Sequence, residues 1–251
     1  MLFVHGFGTE AAVNWHPQLP AARRRFRVIA PDLPGFGTSE RPVEVCSVGF
    51  QVACLRDLLD HLGVERVRLV GHSMGGWIGL AFAASYPRRV ERLVLIDAAG
   101  LRFEPDPALE RVFLPETIED VRRLIAVNFR RPPPLPRFVL RDVMRMCRRE
   151  VHTRTAVLRS LVAGADYLDD QLSRVTVPTL VVWGRADSVT PLALGERLAA
   201  GIPGAELVIF EDCAHSPNIE RPRRFNALLM EFLTGHRDAV LSRSTRLAAN
   251  G

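Results

Sequence analysis

The run Val67-Arg68-Leu69-Val70-Gly71-His72-Ser73-Met74-Gly75-Gly76-Trp77-Ile78-Gly79-Leu80 reads as a buried strand, a very tight turn and the start of an apolar helix. Ser73 sits at the apex. A residue there is forced toward sparsely populated backbone angles, and the chain closes that tightly only if the residues two positions away, Gly71 and Gly75, carry no side chain. The turn lifts a hydroxyl above the sheet, where the new helix offers free backbone N–H groups and its positive dipole end. Ser73 is therefore a candidate nucleophile.

Working outward, three further apolar runs end in loops that carry polar residues. Leu2-Phe3-Val4-His5 leads into Gly6-Phe7-Gly8, a glycine-punctuated loop able to present a backbone donor. Thr179 to Trp183 is followed by Asp187 in a loop that ends at Pro191, and Leu207 to Phe210 is followed by His215. The chain order is thus Ser, Asp, His. With Val28 to Ala30 and Leu93 to Ile96, six short Val/Leu/Ile-rich runs lack polar alternation, as a parallel sheet covered on both faces requires. Helix-like segments lie between them at Ala11 to Ala22, Gly49 to Leu62, Met74 to Tyr86 and Pro191 to Ala200, with Pro222 to Leu233 at the end.

These motifs, HGFG at residues 5–8, Ala30-Pro31-Asp32-Leu33-Pro34-Gly35-Phe36-Gly37, GHSMGG at 71–76 and the paired Asp and His loops, resemble the α/β-hydrolase family over nearly all of residues 1–235. The resemblance implies an α/β fold, a mostly parallel hydrolase sheet flanked by helices, with core segments 1–99 and 175–235. Residues 100–174 hold helix-like stretches at Thr117 to Phe129, Arg137 to Arg149 and His152 to Ala163 and no good strand, which looks like a helical cap inserted after the family's sixth strand. Residues 236–251 are expected to form a flexible tail. The family's two earlier strands are absent before HGFG, as in a shortened version of a longer product. By the family's strand order, Val28 to Ala30 would be an open edge and a route to self-association.

The implied chemistry is acyl transfer by a triad of Ser73, His215 and Asp187, with the N–H groups of Phe7 and Met74 as the oxyanion hole. Asp97, at the end of Leu93 to Ile96, is the rival for the acid. The expected substrate is a small or medium, largely apolar carboxylic ester cleaved through an acyl-enzyme. The alternatives are a carbon–carbon bond hydrolase of ring-cleavage products and a non-catalytic ligand-binding relative. Serine at the elbow argues against the epoxide hydrolases and haloalkane dehalogenases of the family, which carry aspartate there.

Composition sets the remaining bounds. The chain has 251 residues, 47% hydrophobic, and a net charge of +5, enough for one sizeable core. All 33 basic residues are arginine, but they are not grouped with aromatics or a binding module as in a nucleic-acid binder. Arg137, Arg141, Arg145 and Arg148 or Arg149 recur at helical spacing and read as a solvated face. No run approaches the roughly 18 apolar residues of a membrane span. The seven histidines show no ligand spacing, so neither a metal nor a cofactor is expected. Cys46, Cys54, Cys147 and Cys213 form no C-x-x-C pair, and the chain shows no leader, so a cytoplasmic location with reduced thiols is expected.

Overall fold

The structure, a computed structural model, describes residues 1–42, 47–104, 107–163 and 166–235. In chain order its elements are β1 (Leu2–Val4), α1 (Ala11–Trp15), α2 (Leu19–Ala22), α3 (Val48–His61), β2 (Val67–His72), α4 (Met74–Ser85) and β3 (Val90–Ile96). Then come α5 (Pro107–Phe113), α6 (Ile118–Asn128), α7 (Arg137–Arg149), α8 (Val151–Ala163), β4 (Thr179–Gly184), α9 (Leu192–Gly201), β5 (Glu206–Phe210), α10 (Pro217–Glu220) and α11 (Pro222–Thr234).

The strands form one parallel sheet in the order β1-β2-β3-β4-β5. Alternation along each strand explains why none shows a polar face. Leu69, Leu93, Leu95, Val181 and Trp183 point to the side covered by α3, α4 and α9. Val70, Val94, Ile96, Val182 and Val208 point to the side covered by α1, α2 and α11. Each fully buried Leu, Val or Ile side chain stabilises such a two-sided core by roughly 1.5–3 kcal/mol. Because every strand runs the same way, the five strand ends open their loops along one rim, where Ser73, Asp97, Asp187 and His215 all lie.

Two expectations need correction. The expected helix from Ala11 to Ala22 is two helices, because Pro17 has no N–H to continue the ladder and α1 stops at Trp15. The expected strand at Val28 to Ala30 reduces to a single bridge in which Ile29 exchanges hydrogen bonds with Met1 and Phe3. The next rung would need an N–H at residue 31, and Pro31 has none.

Between β3 and β4 the chain is helical, and α6, α7 and α8 fall within two residues of their expected limits. Helix α5 went unforeseen. Leu140 and Met144 of α7 pack on Val121 of α6 as a small separate cluster, while Arg137, Arg141, Arg145 and Arg148 face solvent as expected. Phe138 on the same helix is 66% exposed. Cys46, His236 and the expected tail lie outside the described residues. Among the described residues no helix is long and apolar enough to cross a membrane.

Candidate active site

The elbow has the strained geometry its sequence requires. Ser73 is held at φ 54°, ψ −118°, a conformation costing an L-residue on the order of 1–3 kcal/mol. Neighbouring strands hold it there: Ser73 N–H donates to Ile96 O at 2.9 Å, and Ala99 N–H donates to Ser73 O at 3.2 Å. A Cβ on Gly75 would stand 2.1 Å from Val4 O, and one on Gly71 would stand 2.3 Å from Gly75 O. Only glycine lets α4 start this close to β1 and β2. Ser73 is 9% exposed.

The acid and histidine loops meet beside it. His215 Nδ1 donates to Asp187 Oδ2 at 2.8 Å, which leaves Nε2 as the basic nitrogen. Asp187 is held by Val189 N–H at 2.8 Å, Thr190 N–H at 3.0 Å and Thr190 Oγ1 at 2.7 Å. Trp183 Nε1 in turn holds the loop through Thr190 O at 2.9 Å. Burial works to raise the Asp187 pKa, but the His215 charge and the hydrogen bonds from His215, Thr190 and Asp97 outweigh it and hold the carboxyl below its ordinary value.

Asp97 is the second carboxyl of the site and is wholly buried. Its Oδ1 accepts from Gly184 N–H at 2.8 Å, whereas Oδ2 is buried with no donor facing it. Burial first, and then the Asp187 charge, push its pKa well above the carboxylate range. Polar atoms of Asp97, Asp187 and His215 lie within 4.8 Å of one another. That spacing could suit a metal ion, yet the donors already spent on Asp187 make it a hydrogen-bond relay. His215 bonds Asp187, not Asp97.

The remaining partners are histidines that serve the scaffold. His72 Nε2–H donates to His215 O at 2.7 Å, and the two rings lie 5.1 Å apart. His5 Nδ1–H donates to Gly6 O at 2.8 Å and its Nε2 accepts from Leu33 N–H at 2.9 Å, bracing the HGFG loop from beneath. Burial, with the His215 charge as a smaller contribution at His72, depresses His72 to about 3 and burial depresses His5 to about 4. Both rings are neutral at pH 7. Burial pushes the Cys213 thiol up to about 12, which makes it inert. His16, His61 and His152 are exposed, so His152 does not line the interior.

The N–H groups of Phe7 and Met74 have no hydrogen-bond partner among the described residues, as oxyanion donors require. Ser73 Oγ likewise makes no direct bond to His215, a looseness common before substrate tightens a site. Asn14 and Thr190 were missed by sequence reasoning. Asn14 is buried, and its Oδ1 accepts Gly6 N–H at 2.9 Å and lies 3.1 Å from His72 Nδ1. Neither carries a motif, though a polar residue inside an apolar helix such as Ala11 to Trp15 is a usable signal.

The chain is similar to known proteins along most of its length. The model of the alpha/beta hydrolase family matches residues 1–228. A 2-hydroxy-6-oxononadienedioate/2-hydroxy-6-oxononatrienedioate hydrolase of Paraburkholderia phymatum is 34% identical over 249 residues, covering 93% of this chain and 86% of the relative. The solved meta-cleavage product hydrolase of Pseudomonas fluorescens, a serine-to-alanine mutant with acetates, superposes with a TM-score of 0.85 at 30% identity, covering 94% of this chain and 90% of that one. A membrane phospholipase A described as a bacterial virulence factor gives 0.84 at 31%, covering 95% and 79%.

Proposed function

We propose, from the premise that this chain belongs to the alpha/beta hydrolase family and is a hydrolase, that Ser73, His215 and Asp187 cleave a carbon–carbon bond beside a ketone in a 2-hydroxy-6-oxo-dienoate, the type of product left when an aromatic ring is opened. The observation that carries the catalytic half is the 2.8 Å bond from His215 Nδ1 to Asp187 beneath the strained Ser73 elbow. The substrate half rests on the similarity to dienedioate hydrolases along 93% of the chain. That similarity reverses the order suggested by the sequence, which put simple esters first.

The geometry suits this reaction step by step. His215 Nε2 takes the Ser73 proton as Oγ attacks the ketone carbon, and Asp187 stabilises the imidazolium that forms. The carbonyl oxygen gains charge, and the Phe7 and Met74 N–H groups stabilise it. The 2-hydroxy-dienoate reacts as its 2-oxo tautomer, in which the enol proton has moved to the carbon beside the ketone. As the tetrahedral intermediate collapses and the bond from the former ketone carbon to that carbon breaks, the electron pair delocalises through the remaining double bond to the 2-oxo group. The imidazolium proton is delivered to the resulting dienolate. Water, activated by His215, hydrolyses the remaining acyl-enzyme. Helices α5 to α8 serve as the cap that roofs the site. No cofactor enters any step.

Ester hydrolysis is the second reading, favoured by the likeness to a phospholipase, and needs the same residues. A direct comparison separates the two. The dienoate chromophore should bleach with kcat/KM at least about 100-fold above that for any p-nitrophenyl ester, and a fluorophosphonate should label Ser73 but not the Ser73→Ala protein. Fast ester turnover with an unchanged dienoate spectrum would restore the ester reading. Failure of well-folded protein to label at all would leave a ligand-binding relative.

A further inference from the structure

Three glycines with positive φ in two loops of the sheet domain face a single turn of the helical insertion. Gly8 (φ 65°) follows Phe7 in the HGFG loop, and Gly35 (φ 93°) and Gly37 (φ 53°) lie in the loop after Ile29. A Cβ on Gly8 would stand 2.6 Å from the Arg154 guanidinium, and one on Gly35 would stand 2.4 Å from Thr153 Cγ2. Gly37 N–H donates to Glu150 Oε1 at 3.2 Å. Glu150, Thr153 and Arg154 recur at helical spacing where α7 gives way to α8, so one turn grips both loops.

The grip is made by a fully buried ion pair. Glu150 is 0% and Arg154 1% exposed. Arg154 Nε and Nη2 donate to Glu150 Oε2 at 3.3 and 3.2 Å. Arg149 adds only a loose approach to Glu150 Oε1, at 3.9 Å. The rest of the Arg154 fork leaves the pair: Nη2 donates to Gly8 O at 2.7 Å and Nη1 to Phe113 O, at the end of α5, at 3.3 Å. Its guanidinium carbon lies 5.6 Å over the Phe7 ring, which is wedged edge-on between Phe36 and Phe113 at 5.8 and 5.5 Å.

Burying two charges is expensive, and an apolar pair of equal volume often stabilises a fold as well or better. A stability role therefore gives a weak account of this pair. A directional role gives a better one, because a planar fork fixes a carbonyl and a carboxylate at set angles as no apolar side chain can. We propose that Glu150 and Arg154 are positioning residues for the oxyanion loop: by holding Gly8 O, the Phe7 ring and Gly37 N–H, they set the direction of the Phe7 N–H. The seated insertion and a formed oxyanion hole are then one state. This rests on the reading of Phe7 as an oxyanion donor. It also means that the Arg154 charge is already matched and is not a free receptor for an anionic substrate.

Arg154→Lys keeps the charge and loses the fork, while Glu150→Gln keeps the shape and loses the charge. In either variant amide exchange at residues 6–9 should quicken about tenfold or more, with β2 and β3 amides unchanged. The kcat should fall about 10- to 100-fold, as for a reacting geometry displaced by less than an ångström or so, with KM within about threefold. A trifluoromethyl ketone, which mimics the oxyanion, should lose affinity in step with kcat, and Arg154→Met should lose more than Arg154→Lys. Unchanged exchange at residues 6–9 would overturn the proposal, as would quickened exchange with kcat intact, or exchange quickened equally throughout the sheet. Should Arg154→Lys fail to fold, the isosteric Glu150→Gln carries the same test. A wild-type protein that neither labels at Ser73 nor turns over would defeat the proposed function alone, since the exchange comparison still reports the grip.

Discussion

At the residue scale the two buried carboxyls divide their work by environment. Asp187 accepts from Val189 N–H, Thr190 N–H, Thr190 Oγ1 and His215 Nδ1 and is held below its ordinary pKa, whereas Asp97 accepts only from Gly184 N–H and is raised by burial and the Asp187 charge. Asp187→Asn should lower turnover by roughly 10⁴-fold, because an amide leaves the wrong imidazole tautomer. Asp97→Asn should keep turnover within about fivefold, since its amide still accepts from Gly184 and donates to Asp187; a severe loss in Asp97→Asn with a mild one in Asp187→Asn would make Asp97 the acid. The Asp97→Asn change also has a signed effect on stability. A carboxyl with a raised folded-state pKa binds its proton more tightly folded than unfolded, so its contribution falls as pH rises above the ordinary value near 3.8. An asparagine side chain does not titrate. The melting temperature of the Asp97→Asn variant relative to wild type should rise as pH is raised above about 4, at about 2–4 °C for each kcal/mol, and melts from about pH 4 to 8 check it.

At the element scale the sheet and its rim were legible because each strand is a short apolar run delivered into a loop with a distinct chemical mark. The elbow glycines could be read from sequence because a Cβ 2.1 Å from Val4 O has no alternative. Gly75→Ala should accordingly prevent the elbow from closing, abolishing fluorophosphonate labelling and costing at least about 3 kcal/mol in urea unfolding. What could not be read were contacts between elements distant in sequence. Arg154 and Gly8 are 146 positions apart, and nothing in either neighbourhood names the other. The i,i+4 spacing of Glu150 and Arg154 was visible, but on a helix such a pair is usually solvent-exposed and worth little. Helices α6 and α7 meet in a small cluster of Val121, Leu140 and Met144 with Ile118, Ile125, Leu135 and Val143 packed against it. Met144→Ala should destabilise it by roughly 2–5 kcal/mol, raising KM more than it lowers the labelling rate of Ser73, as stopped-flow labelling beside steady-state kinetics would report.

At the scale of the whole molecule the site's rigidity sets the protein's acid limit. His5 and His72 are buried as neutral rings at about 4 and 3, against 6.5 when unfolded. For a base with a depressed folded-state pKa the stabilising effect is complete above 6.5 and is lost as pH falls, because the unfolded chain takes up protons that the folded chain refuses. Each ring then removes up to about 1.4 kcal/mol per pH unit between 6.5 and 4. Asp97, whose carboxyl is raised by burial, acts with the opposite sign and offsets part of this loss. Stability should therefore fall as pH drops from 6.5 toward 4, by up to roughly 3 kcal/mol for each ring less the Asp97 offset, a substantial part of the 5–15 kcal/mol typical of a domain. His72→Gln separates this account from general acid unfolding, because the Gln amide can still donate to His215 O and carries no titration. Its urea-unfolding free energy should lose about one proton's worth of slope between pH 6.5 and 4 relative to wild type. An unchanged slope would mean that His72 takes up its proton in the fold, and that the acid limit comes from elsewhere than the rings bracing the elbow.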